Sequence, residues 1–221
     1  MIYYLGGMLK GIWGPARLLQ SYAVLIGLAL YTGFILTRIH LPKLYRFLPC
    51  DRGREFTLTK EAAKGKPTGS GVIFVTIFVI LSILFAPVDY LQAGILLLTW
   101  LMMLTGFLDD RSEKGWGEYI KALLDLIITV AAALLMMRYL SSTSADGNLS
   151  FWFPFFSKPI AIPSWLYVVI SVVMLWVSVN TTNCTDGVDG LSSTLVLVAL
   201  FTMGFIFYII LGHKDIASYL L

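Results

Sequence analysis

Asn180, Asn183, Asp186 and Asp189 recur at three-residue intervals in a stretch, Asn180 to Gly190, that carries no lysine or arginine. On a helical turn that spacing lines one face. Amide and carboxylate oxygens are hard donors, of the kind that hold Mg²⁺ together with a substrate's phosphates. A structural use is also open to them: Asp186 can cap the apolar run that starts at Leu191, with Asp189 in its first turn. One cap, however, accounts for neither the second carboxylate nor the two amides.

Two further polar clusters interrupt the apolar sequence. Gly106-Phe107-Leu108-Asp109-Asp110 sets adjacent carboxylates where an apolar run ends. Helix neighbours point about 100° apart, so the two are not equivalent ligands of one ion. Negative charge at a helix C-terminus is also unfavourable unless a lysine or a metal ion offsets it. Lys64-Gly65-Lys66-Pro67-Thr68-Gly69-Ser70-Gly71 leads into another apolar run. Backbone N–H groups at a helix start, with ammonium groups beside them, favour anions such as phosphate. The G-x-x-x-x-G-K-[ST] order of a Walker A loop is missing, and plain membrane topology explains the lysines equally well. Asp125 lies one turn inside an apolar run, four residues after Lys121. That spacing fits an interfacial ion pair as well as a site-facing one.

The elements that must position these residues are membrane helices. The 221 residues are 58% hydrophobic and only 13% charged, about half the charged share of a soluble domain. A water-soluble globule is excluded. Six apolar stretches are long enough to cross hydrocarbon: Tyr22 to Ile39, Val72 to Val88, Leu91 to Leu108, Ile120 to Leu140, Ile162 to Val179 and Leu191 to Leu211. The expected fold is therefore an all-α integral membrane protein. Met1 to Gln20 is less apolar, mixes Tyr3, Tyr4 and Trp13 with Lys10 and Arg17, and reads as an interfacial segment ahead of a polytopic domain over residues 21–221. The connection after the first stretch holds Arg38, Lys43, Arg46, Arg52, Arg54, Lys60, Lys64 and Lys66, half of the 16 lysines and arginines. The positive-inside rule places it in the cytoplasm, and parity adds the third and fifth connections. All three polar clusters then meet one face. The 141–161 connection, with Phe151, Trp152, Phe153, Phe155 and Phe156, reads as an outer-face turn at the aromatic belt. Cys50 and Cys184, far apart, indicate neither a disulfide framework nor a zinc site, and His40 and His213 are too few for a histidine-built metal centre.

With these motifs in view, the chain resembles the polyprenyl-phosphate phosphosugar transferases. The anchors are Lys66-Pro67-Thr68 to Gly71, Gly106 to Asp110, and Asn183-Cys184-Thr185-Asp186-Gly187-Val188-Asp189-Gly190-Leu191. Thr185 before the first Asp-Gly favours the muramoyl branch. The resemblance implies transfer of phospho-MurNAc-pentapeptide from its UDP donor to undecaprenyl phosphate, with release of UMP, a requirement for Mg²⁺, and an active face on the cytoplasmic side of the bacterial inner membrane. It sets Asp109 and Asp110 at the reaction centre, as base for the lipid phosphate or as nucleophile. It associates Asn183 and Asp110 with the metal, and Asn180, Asp186 and Asp189 with the donor. Lys64, Lys66 and Lys121 would face phosphates. Partners are then the UDP-sugar, undecaprenyl phosphate and membrane lipids, with a second copy of the chain as a candidate and no nucleic acid.

Three departures stand out. The family's P-T-M-G-G reads Pro67-Thr68-Gly69-Ser70-Gly71, and the Gln that commonly follows the fourth-stretch lysine is Asp125. The family has about ten spans, so the six here read as the N-terminal part of that fold, with a catalytic set that would be incomplete alone. The competing expectations are a sister transferase using UDP-GlcNAc, a catalytically incomplete fragment, and a channel or transporter. The last would set its carboxylates mid-span instead of at one interface.

Overall fold

The computed structural model describes residues 1–50, 65, 67–112, 115–144, 149–151, 158–185 and 190–221. Its helices, in order, are α1 (Ile2–Leu9), α2 (Tyr22–Leu44), α3 (Gly71–Phe85), α4 (Tyr90–Arg111), α5 (Glu118–Thr143), α6 (Ser164–Thr185), α7 (Leu191–Phe205) and α8 (Lys214–Leu220). Short 3-10 turns cover Gly14–Gln20 and Tyr45–Phe47. Among the described residues, five helical stretches are long and apolar enough to cross a membrane: Tyr22–Phe47, Tyr90–Arg111, Glu118–Thr143, Ser164–Asn183 and Leu191–Ile210. They coincide with the first, third, fourth, fifth and sixth predicted stretches.

The second predicted stretch is shorter than expected. α3 has 15 residues, about 22 Å at 1.5 Å per residue, against a hydrocarbon core of about 30 Å. It stops because Ala86, extended at ψ 156°, precedes Pro87, and a residue before proline is excluded from the helical region. Two other boundaries differ for local reasons. Ile162, predicted to start the fifth span, instead ends a short strand, Ile160–Ile162, paired antiparallel with Leu149–Phe151 in an otherwise mostly helical chain. Pro163 then separates it from α6. At its other end α6 runs on to Thr185, so Asn180 and Asn183 are helical instead of lying in a loop. The Thr181 hydroxyl donates to the Val177 carbonyl, and that of Thr182 to the Ser178 carbonyl at 2.8 Å. These back-bonds satisfy the two hydroxyls within the helix. The sixth span closes with a widened turn, Ile206–Ile210, in which Leu211 N–H donates to the Ile206 carbonyl at 3.0 Å.

The chain forms two compact units: Met1–Val88, Thr99–Trp116 and Leu197–Leu221 in the first, Asp89–Leu98 and Gly117–Val196 in the second. The first is built on α2 against α3, where Leu25, Leu81 and Phe85 are buried with Ile2, Tyr3 and Ile77 packed around them. Gly33 allows the approach, since a Cβ there would stand 3.1 Å from Leu81 Cδ1. Trp100 Nε1 on α4 donates to Thr76 Oγ1 on α3 at 3.1 Å. The amino-terminal helix joins the same core, with the Met1 ammonium donating to the Ile83 carbonyl at 2.9 Å. The second unit is built on α5 against α6. Asp89 opens α4 by accepting the N–H groups of Leu91 and Gln92 at 2.8 and 3.0 Å, the ordinary use of a carboxylate at a helix start.

Candidate active site

In the first unit, two of the three polar clusters converge. α4 ends at Gly106 to Arg111, and its last carboxylates diverge as neighbouring helical residues must. Asp109 is buried, at 8% exposure. Its Oδ1 accepts the Trp116 backbone N–H at 2.5 Å, and its carbonyl accepts the Ser112 hydroxyl at 2.9 Å. A buried carboxylate needs such charge-assisted bonds to offset lost hydration. Asp109 thereby closes the turn that leads out of α4. Asp110 is exposed and accepts the Thr68 hydroxyl at 3.5 Å, the long limit of such a bond.

Thr68 and Gly69 reach Asp110 because the segment before α3 is pinned. Thr68 N–H donates to the Pro49 carbonyl at 2.8 Å, and Cys50 and Pro67 form an antiparallel bridge. Gly69 then turns the chain at φ +70°, a conformation that favours glycine. Space is short there as well: a Cβ would stand 3.2 Å from Phe107, 3.4 Å from Pro49 and 3.6 Å from Asp110 Oδ2. The turn into α3 and the end of α4 thus make one polar corner with an exposed carboxylate. Lys64 and Lys66, predicted beside it, lie outside the described residues.

In the second unit, Lys121 stands in the first turns of α5, with Asp125 one turn on as its charged neighbour. Asn180 and Asn183 occupy the last turns of α6. Asn180 Nδ2 donates to the Trp176 carbonyl at 2.8 Å, and Trp176 Nε1 donates to the Ala122 carbonyl at 3.1 Å. The lysine end of α5 and the asparagine end of α6 are therefore tied to each other. Asn180 is half-buried and Asn183 exposed. Asp186 and Asp189 lie outside the described residues. Gly190, at φ +82°, accepts the Thr194 hydroxyl at 2.7 Å where α7 begins.

Among the described residues, no three His, Cys, Asp or Glu side chains gather into a metal cage. Mg²⁺ does not need one: it keeps several waters and takes one or two carboxylates together with substrate phosphates. The exposed Asp110 beside a hydroxyl fits that limited role. Sequence reasoning named Asp109, Asp110, Lys121, Asn180 and Asn183 but missed Trp116 and Trp176. Trp116 takes part through its backbone N–H, which leaves no mark in a sequence. Trp176 had a readable signal, an indole N–H in an apolar run that must find an acceptor.

Comparison with known proteins gives one family. A sequence profile described as Glycosyl transferase family 4 matches residues 92–221. A protein of Treponema pallidum (strain Nichols) named phospho-N-acetylmuramoyl-pentapeptide-transferase is 53% identical over 209 residues, 95% of this chain and 56% of its own length. Proteins of the same name from Gemmatimonas aurantiaca and Aquifex aeolicus are 33% and 28% identical, covering 87% and 100% of this chain and 54% and 63% of their own lengths. The chain thus spans little more than half the length of the curated relatives it matches.

Proposed function

This chain belongs to glycosyl transferase family 4, and on that premise we propose that its protein transfers phospho-MurNAc-pentapeptide from UDP-MurNAc-pentapeptide to undecaprenyl phosphate, giving lipid I and UMP. The observation that carries the reading is the identity of 53% over 95% of the chain with a transferase of that name. The relatives' shared name favours the muramoyl donor over UDP-GlcNAc. The polar corner at Asp110 supports it, because the reaction needs an accessible carboxylate where cations and phosphates meet.

In the proposed reaction an oxygen of the lipid phosphate attacks the sugar-bearing phosphorus of the donor. A new P–O bond forms as the bond to the bridging oxygen breaks, and UMP leaves with that oxygen. Mg²⁺, when bound, offsets the repulsion between the two phosphate-bearing substrates. Asp110 is the oxygen donor proposed to hold it. Asp109 keeps the end of α4 and its following turn in place, and Gly69 leaves room for the Thr68–Asp110 contact. Lys64, Lys66 and Lys121 are proposed phosphate partners, with Asn180, Asp186 and Asp189 on the donor side. The basic first connection supports a cytoplasmic active face.

The test is UMP release by the full-length protein in detergent with undecaprenyl phosphate, comparing UDP-MurNAc-pentapeptide with UDP-GlcNAc, with and without Mg²⁺. Mg²⁺-dependent release with the muramoyl donor is expected. Release with UDP-GlcNAc alone, or release unaffected by chelation of Mg²⁺, would refute the donor or the metal.

A further inference from the structure

We propose that Trp176 is a positioning residue, which sets the register of Lys121 on α5 against Asn180 on α6. The proposal rests on the reading of Lys121 as a phosphate partner and of Asn180 as a donor-side group. Between membrane helices there is little hydrophobic force to fix register, because the surrounding lipid is as apolar as the helix faces. Hydrogen bonds between helices take over that work. Trp176 makes such a bond from its indole N–H to the carbonyl of Ala122, the residue next to Lys121. Its own carbonyl accepts the side-chain amide of Asn180, one turn further along α6. One residue therefore touches both helices at the points where the proposed phosphate partner and donor-side group stand.

The geometry makes the consequence large. Sliding one helix by a single residue displaces its side chains by about 1.5 Å. A displacement of that size exceeds the roughly 0.5 Å range of good hydrogen-bond lengths, so groups that hold a donor would lose their bonds to it. Trp100 provides the comparison, because its indole N–H also bonds across to a second helix, at the Thr76 hydroxyl in the first unit, with no predicted site residue adjoining Thr76.

The experiment compares wild type, Trp176→Phe, Trp176→Tyr and Trp100→Phe in the full-length protein, reading KM for UDP-MurNAc-pentapeptide, kcat, and equilibrium binding of UMP. Tyr is the second variant should Phe fail to fold. Both Trp176 variants are expected to raise KM and weaken UMP binding at least about fivefold, with kcat within about twofold, while Trp100→Phe changes neither. In a Lys121→Ala background the Trp176 penalty should shrink below about twofold, since coupled residues are not additive. Unchanged KM and UMP binding, or an equal penalty with and without Lys121, would overturn the proposal. A wild-type protein that binds UMP but transfers nothing would instead contradict the proposed reaction, and the binding comparison would still decide the role of Trp176.

Discussion

At the end of α4 two adjacent carboxylates divide because neighbouring helical side chains diverge: Asp109 turns onto the Trp116 N–H and Asp110 faces outward near Thr68. Removing each should therefore have a different effect on stability. Asp109→Ala leaves the part-buried Trp116 N–H without its charged acceptor and should lower unfolding stability by about 1–3 kcal/mol. Asp110→Ala, at an exposed position, should change it by less than about 0.5 kcal/mol. Thermal unfolding in detergent measures both. Gly69→Ala should cost about 1–2 kcal/mol for its left-handed backbone and also push on Phe107, with a loss of UMP release. Wild-type rates in that variant would mean the turn does not set the Asp110 corner. The types and spacing of Thr68, Gly69, Asp109 and Asp110 were legible in the sequence. Their proximity was not, because it depends on a backbone bond from Thr68 to Pro49.

Elements were legible where hydropathy alone decides them and misjudged where backbone chemistry intervenes. Pro87 cuts α3 short, and α6 continues through Asn183 to Thr185, with the Thr181 and Thr182 hydroxyls bonded back to its own carbonyls. Ile162 is apolar enough to read as the start of a membrane helix, and only its pairing with Leu149 in the Ile160–Ile162 strand distinguishes it. Packing between α2 and α3 was equally hidden, since both helices are apolar on most faces. Leu25 is 1% exposed at that contact, whereas Leu28 on the same helix is 40% exposed. Leu25→Ala should therefore destabilise by about 2–4 kcal/mol through the cavity it leaves. Leu28→Ala should stay within about 0.5 kcal/mol. Equal losses would mean that α2 packs through a different face.

On the scale of the whole molecule, five span-length apolar helices and bacterial relatives make this a bacterial multi-pass membrane protein. Its proposed orientation follows from lysine and arginine placement. With Cys50 and Cys184 replaced by serine, Lys43→Cys should react with an impermeant maleimide only after the membrane is opened, and Lys158→Cys in intact cells. The reverse pattern would move the active face outward. The central claim, that Asp110 belongs to the centre where phospho-sugar is transferred, is tested most directly by UMP release from Asp110→Asn in the full-length protein, with UMP binding measured alongside. The account predicts a rate at least about tenfold lower, about 1.4 kcal/mol of barrier, with UMP affinity within about twofold of wild type. A rate equal to wild type would contradict it.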